Sequence, residues 1–158
     1  MKKILPVLFL ALLLLGCDMA TDAVKLKPDI EVVFVNPVAA SVDSGVTATI
    51  TEVDVVARNS VDSQIEKMIW EYYDKNGNLF FGPFEIAMHL QVPGLIGPEE
   101  ADTVALLTVP LPIDTVRTYL YNTTQYEARA YIGLVAFDEY GMSASDTAWF
   151  DFGLYRNP

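Results

Sequence analysis

The chain has 158 residues, 21 of them acidic and 10 basic, for a formal charge of -11 at neutral pH. That balance disfavours nucleic acid and anionic lipid as electrostatic partners, and a content of 52% hydrophobic and 11% aromatic residues argues against disorder. A single cysteine rules out an internal disulfide, and a single histidine argues against zinc, which takes about four nitrogen or sulfur ligands.

Lys2 and Lys3 open the chain with positive charge, and Ile4 to Leu15 follows as an uncharged, leucine-rich run. A spanning helix needs about 20 apolar residues and a secretory core only roughly 7 to 15, so the run reads as an export leader. Its end, Leu14-Leu15-Gly16-Cys17, resembles the lipobox of bacterial lipoproteins. The resemblance implies a diacylglycerol thioether on Cys17, cleavage after Gly16 and an acylated new amino terminus. Thiolate chemistry makes cysteine the residue for that bond. Burial at about 0.8 kcal/mol per methylene means that two or three acyl chains anchor stably where one does not. Residues 1–16 are then a removed signal peptide, and loss of both lysines with it takes the charge to -13. Asp18 resembles the aspartate that retains enterobacterial lipoproteins in the inner membrane, which tilts an otherwise open choice between inner and outer membrane. Residues 17–28 are polar and aperiodic, a tether reaching about 35 Å when extended.

From Asp29 the apolar period is two, that of strands. Ile30, Val32 and Phe34 are expected on one face, with Asn36-Pro37 as an interruption and Val38 to Val42 as a resumption. Asp43-Ser44-Gly45 marks a turn. Val46 to Arg58 reads as a long strand whose apolar phase changes between Ile50 and Val53, which predicts a bulge near Thr51-Glu52. Ile65 to Tyr73, with Met68, Trp70 and Tyr72 on one face, runs into Asp74-Lys75-Asn76-Gly77-Asn78 and then Leu79-Phe80-Phe81, a hairpin signal. Gly82-Pro83 predicts a second break or bulge, and Phe84 to Val92 alternates again. Pro93 to Asp102 is a loop and Thr103 to Leu111 a strand. Asp114 is placed to cap a short helix bearing Val116, Tyr119 and Leu120. Tyr126 to Phe137, a turn at Asp138-Glu139-Tyr140-Gly141, and Thr147 to Tyr155 complete the chain.

Seven to nine strands with little helix predict an all-β, antiparallel sandwich over 29–158. Tyr126-Glu127-Ala128, followed by alternation, a glycine turn and a final strand, resembles the F and G strands of immunoglobulin-like and fibronectin type III-like domains. The resemblance implies Trp70 as a core tryptophan on strand C and Tyr126 as a tyrosine-corner residue. Ala128 stands where antibody domains carry cysteine, so the antibody type itself is not matched.

Chemistry-bearing motifs are few. His89 lies on a polar strand face without a second histidine, no nucleophile elbow or phosphate loop is present, and no cofactor is expected. The loops around Asp62, Pro93 to Asp102 with Glu99 and Glu100, and Asp138 to Gly141 are expected to share one acidic end. Such an end fits solvated turns better than calcium, which takes six to eight oxygen ligands. Leu95 and Ile96 place two aliphatics on a connecting loop and are candidate partner contacts, against the alternative that both fold back to plug the sandwich. The expected function is a non-catalytic, lipid-anchored envelope module for adhesion, assembly or ligand binding, its partners the membrane through Cys17 and another envelope protein or a glycan. The alternative is an envelope hydrolase using carboxylates in a loop cleft.

Overall fold

Strand periodicity is realised along almost the whole domain. A computed structural model describes residues 27–43, 45–97, 101–138 and 144–158. Cys17, Asp18, Ser44, Pro98, Glu99, Glu100, Glu139, Tyr140 and Gly141 lie outside them. The strands are β1 (Ile30–Asn36), β2 (Ala39–Ser41), β3 (Thr47–Ala57), β4 (Ser63–Asp74), β5 (Leu79–Val92), β6 (Val104–Pro112), β7 (Glu127–Asp138) and β8 (Ser145–Tyr155), with the helix α1 (Asp114–Asn122) between β6 and β7. They form a three-stranded sheet, β1-β3-β6, and a five-stranded sheet, β2-β8-β7-β4-β5. All pairs are antiparallel except β2 with β8. Among the described residues the fold is all-β with one short helix.

Both sheets feed one core. Ile50, Val53 and Val55 come from the three-stranded sheet, and Ile65, Met68, Trp70, Tyr72, Ile132, Leu134, Phe152 and Leu154 from the other. Each large aliphatic or aromatic side chain fully buried there contributes about 1.5 to 3 kcal/mol. Met68, Trp70 and Tyr72 share the inward face of β4 as their spacing requires, and Trp70 stacks on Phe84 with centroids 5.5 Å apart.

Local departures from strict alternation have local causes. In β1 the pairing with β3 shifts between Val32 and Phe34, so the extra residue turns Phe34 outward and Val35 inward. Phe34 therefore does not share a face with Ile30 and Val32. The phase change in β3 occurs where expected, with Ala48 and Ile50 buried before it and Val53 and Val55 after it. It leaves no register shift, because β6 changes phase opposite it: Ile50 still faces Val109, Glu52 faces Leu107, and Thr108 adopts a φ of 63°. After Pro37 the chain leaves β3 and crosses to the other sheet, where β2 lies alongside β8. β5 passes through Gly82-Pro83 as one strand with shifted pairing rather than a break. Its inward-phase Ile86 remains 51% exposed because β5 is an edge. Ile113 holds the N-cap position of α1, and Asp114 is the first helical residue, where it pairs with Arg117 one turn on. Tyr126 is exposed under the Arg156 guanidinium, 4.5 Å from its ring centroid, and is not a buried corner residue. The buried tyrosine that bridges the sheets is Tyr72, whose hydroxyl donates to the Pro112 carbonyl at 2.7 Å.

Register fixes two ends. Ser63 of β4 pairs with Val92 and with Asp138, so the β3–β4, β5–β6 and β7–β8 connections gather at one end. Lys27 enters there: its carbonyl accepts from Asn59 Nδ2 at 2.7 Å, and Asp146 takes its ammonium at 3.2 Å and the Ile30 N–H at 3.1 Å. The β4–β5 turn and α1 occupy the opposite end, where Tyr119 stacks on Phe80 at 3.9 Å.

Candidate functional site

Leu95, Ile96 and Asp62, singled out by sequence, fall at the Lys27 end, and Cys17, Glu99 and Glu100 lie outside the described residues. Asp62 accepts the Gly94 N–H at 2.7 Å, and Asn59 accepts the Leu95 N–H at the same distance. These bonds draw the β5–β6 loop onto the β3–β4 loop so closely that a Cβ on Gly94 would meet the Ser60 carbonyl carbon at 2.5 Å. The two aliphatics that follow are parted: Leu95 is half-buried, while Ile96 stands 86% exposed. They neither plug the domain together nor form one exposed tip.

The expected sharing of one end by the acidic loops is seen for Asp62 and Asp138. Asp62 spends its carboxylate on a backbone N–H, and Asp146 divides its own between the Ile30 N–H and the Lys27 ammonium. Among the described residues no cluster of three His, Cys, Asp or Glu side chains forms a metal site. His89 is exposed on β5, and its Nδ1 lies 2.8 Å from Gln64 Nε2 across the strand pair.

A more informative arrangement lies at the opposite end, on the outer face of the five-stranded sheet. Alternation in β7 turns Ala128, Ala130 and Ile132 into the core and leaves Arg129 and Tyr131 outside. Arg129 pairs across β4 with Tyr73, and Tyr131 pairs across β8 with Asp151. The β4–β5 turn adjoins them. Together Tyr73, Asp74, Lys75, Arg129, Tyr131 and Asp151 line an open cleft of about 470 Å³. An adjoining hollow of about 310 Å³ shares Lys75 and Arg129 and extends towards Glu127 and Tyr155.

The walls of this cleft are set by specific contacts. Tyr131 stacks on Trp149 with centroids 4.5 Å apart and planes 7° apart, and Tyr73 and Tyr131 meet in a T-shaped pair with centroids 6.4 Å apart. The Tyr73 hydroxyl donates to Glu71 Oε2 at 2.5 Å, and this bond to a carboxylate raises the phenol above its ordinary range. In the turn, the Gly77 N–H donates to the Asp74 carbonyl at 3.0 Å and Gly77 takes a φ of 82°, a three-residue connection with glycine in the left-handed position. The buried Asp74 carboxylate accepts the backbone N–H groups of Asn76 and Asn78 at 2.8 Å each, the Asn78 side-chain amide at 3.1 Å and the Tyr119 hydroxyl at 3.5 Å. Those bonds, the Asn78 side chain foremost, pull it down to about 2. Asp74 thus fixes the turn as a permanent anion.

The ion pairs among the described residues engage Lys27, Arg58, Lys67 and Arg117. Lys75 and Arg129 enter none of them, so two cations face this cleft with only Asp151 as an uncommitted acidic wall. Such a set is equipped for non-covalent recognition, with aromatic surface, fixed positive charge and one acceptor. Sequence reading passed over it because Tyr73, Arg129, Tyr131 and Asp151 come from three strands and meet only through register. The available signal was tyrosine and tryptophan at outward positions of strands, where polar residues are the norm.

Among the described residues no helix is long and apolar enough to cross a membrane. No family model matches the chain, and no curated protein matches it. Among solved structures, the chain is similar to the X-ray structure of Northeast Structural Genomics Consortium target SoR45. The two share 13% identity and a TM-score of 0.41 over 82% of this chain and 83% of that one.

Proposed function

We propose that the protein is a lipid-anchored component of a bacterial envelope whose all-β domain is a non-catalytic binding or structural module. The lipobox-like Leu14-Leu15-Gly16-Cys17 at the end of an apolar leader carries the reading. The chain enters the domain at Lys27, at the end opposite the cleft, which suits an anchor on that side. Asp18 tilts the anchor towards the inner membrane. Ile96, beside the entry point, remains a candidate contact for an envelope partner on the anchored side.

The domain is an immunoglobulin-like sandwich in this reading. With β1, β3, β4, β6, β7 and β8 as strands A, B, C, E, F and G, strands A, B and E share one sheet and C, F and G the other, the division such folds use. The buried Trp70 then sits on strand C. The non-catalytic character is supported by Asp74, the buried carboxylate at the cleft. It is held well below the ordinary range, whereas a general acid at neutral pH needs a raised value.

Mass spectrometry of the protein extracted from its native membrane tests the anchor. The expected result is a chain beginning at acylated Cys17, and an unprocessed, unlipidated chain for Cys17→Ser. Soluble, unmodified protein starting elsewhere would overturn the reading.

A further inference from the structure

Resting on the reading of the domain as a binding module, we infer that the cleft beside the β4–β5 turn binds an acidic saccharide, a pyranose unit bearing a carboxylate among its hydroxyls. The charge pattern comes first. In a chain with 21 acidic and 10 basic residues, Lys75 and Arg129 converge on one cleft without an ion-pair partner among the described residues. An arginine presents a fork that matches a carboxylate with two parallel hydrogen bonds, and a lysine adds a mobile point charge. Asp74 also lines the cleft, but its carboxylate is taken up by the N–H groups of its own turn, so a carboxylate on the ligand supplies the partner that the two cations lack.

The other walls narrow the class. Asp151, paired with Tyr131 across the sheet, contributes an acceptor in the same cleft. It disfavours a compact phosphate or sulfate dianion more than a singly charged carboxylate, and it accepts from hydroxyl donors. Tyr73 and Tyr131 add ring surface for the C–H face of a sugar, with the Tyr73 hydroxyl held by Glu71. A carboxylate, several hydroxyls and an apolar ring face on one small body describe an acidic sugar. A cleft of about 470 Å³ is of the size that takes small ligands. The adjoining hollow leaves room for the chain to continue past Arg129 towards Tyr155.

An acidic peptide fits less well. Extended peptides gain affinity by pairing with the free edge of a sheet. The cleft instead lies on the face of the sheet, over β4 and β7, which are paired on both sides, and beside Asp151 of β8, so it does not present a free strand edge as its main surface. Its recognition groups are side chains.

The test is a titration of the full-length protein in detergent micelles, followed by calorimetry and by the fluorescence of Trp149, which stacks on Tyr131. The probes are methyl β-glucuronide, methyl β-glucoside, sodium phosphate and an acidic tripeptide. The expected result is saturable glucuronide binding about tenfold or more tighter than glucoside, the factor expected from one charge-assisted bidentate contact. Arg129→Ala and Lys75→Ala should each weaken the glucuronide by about fivefold to tenfold, and the glucoside by less, so that the preference between the two shrinks. Lys75 lies in an exposed turn, so Lys75→Ala keeps the test open should Arg129→Ala disturb the sheet. Equal affinity for glucuronide and glucoside, tighter binding of phosphate or tripeptide, or no saturable glucuronide binding would overturn the assignment. Absence of a Cys17 acyl group in the same preparation would overturn the anchor alone.

Discussion

Tyr72 shows how one polar atom ties two sheets. Its ring is fully buried among Phe80, Phe81 and Phe84, and its hydroxyl reaches the carbonyl of Pro112 at the end of β6, the opposite sheet. Burial pushes the phenol up to about 12. Replacing Tyr72 with phenylalanine keeps the packing but leaves a carbonyl without its donor, at a cost of about 1 to 3 kcal/mol. The urea midpoint should fall with an unchanged slope. The same residue, Tyr73 and two aspartates contribute to the pH profile. Asp74 is lowered to about 2 by its Asn78, Asn76 and Gln125 partners, and Asp43 is lowered chiefly by the Asn157 N–H. For a lowered carboxylate the stabilisation is complete above its ordinary value of 3.8 and disappears as pH falls through the folded value. For Tyr72 the unfolded chain ionises first, near pH 10, so stability declines as pH rises from there towards 12. Urea midpoints across pH 2 to 11 should therefore drop below about pH 4 and again above about pH 10. Asp74→Asn should flatten the acid limb, and a limb of unchanged steepness would count against this account.

At the scale of elements, what alternation dictates was legible and what register dictates was not. The strands, the hairpin at Asn76-Gly77 and the helix through Val116 and Leu120 follow from local patterns. The phase change between Ile50 and Val53 was visible too, but its consequence was not. Its compensation sits at Thr108, more than fifty residues away, and only pairing joins the two. The outward turn of Phe34 has the same origin, since an extra residue in β1 has no signature in an apolar run of valines. The β5–β6 loop illustrates the limit from the other side. Its composition pointed to Leu95 and Ile96, yet Gly94 decides their fates by letting the loop lie on Ser60 and Val61. Alanine at position 94 places a methyl group 2.5 Å from backbone atoms that cannot rotate away, so one loop must shift. The expected loss is about 1 to 3 kcal/mol. Amide exchange at Leu95, whose N–H donates to Asn59, should accelerate in the same variant. Unchanged stability with protected Leu95 would show that the close approach is not constraining.

For the molecule as a whole, charge is the property that sequence stated most plainly and whose consequence structure sharpens. An excess of 11 negative charges acts against the compact state. The ion pairs among the described residues offset it weakly, because in each at least one partner is well exposed, as Lys27 is at 61% and Glu85 at 70%. Exposed pairs contribute about 0 to 1 kcal/mol each. The core, assembled from both sheets, therefore carries the stability and the surface subtracts from it. Salt discriminates between the two contributions. Raising ionic strength from about 0.01 M to 0.15 M shortens the screening length from about 30 Å to 8 Å. That removes repulsion between acids spread over the surface while leaving contacts closer than the screening length, such as Lys27 with Asp146, largely intact. The melting temperature of the protein at pH 7 should rise by about 2 to 4 °C, the shift that about 1 kcal/mol produces in a domain of this size. The rise should saturate by about 0.3 M, where the screening length falls below the spacing of neighbouring surface charges. Measured by calorimetry in sodium chloride, a fall in melting temperature over the same range would mean that attraction within the ion pairs, and not the acidic excess, governs the electrostatics of the fold.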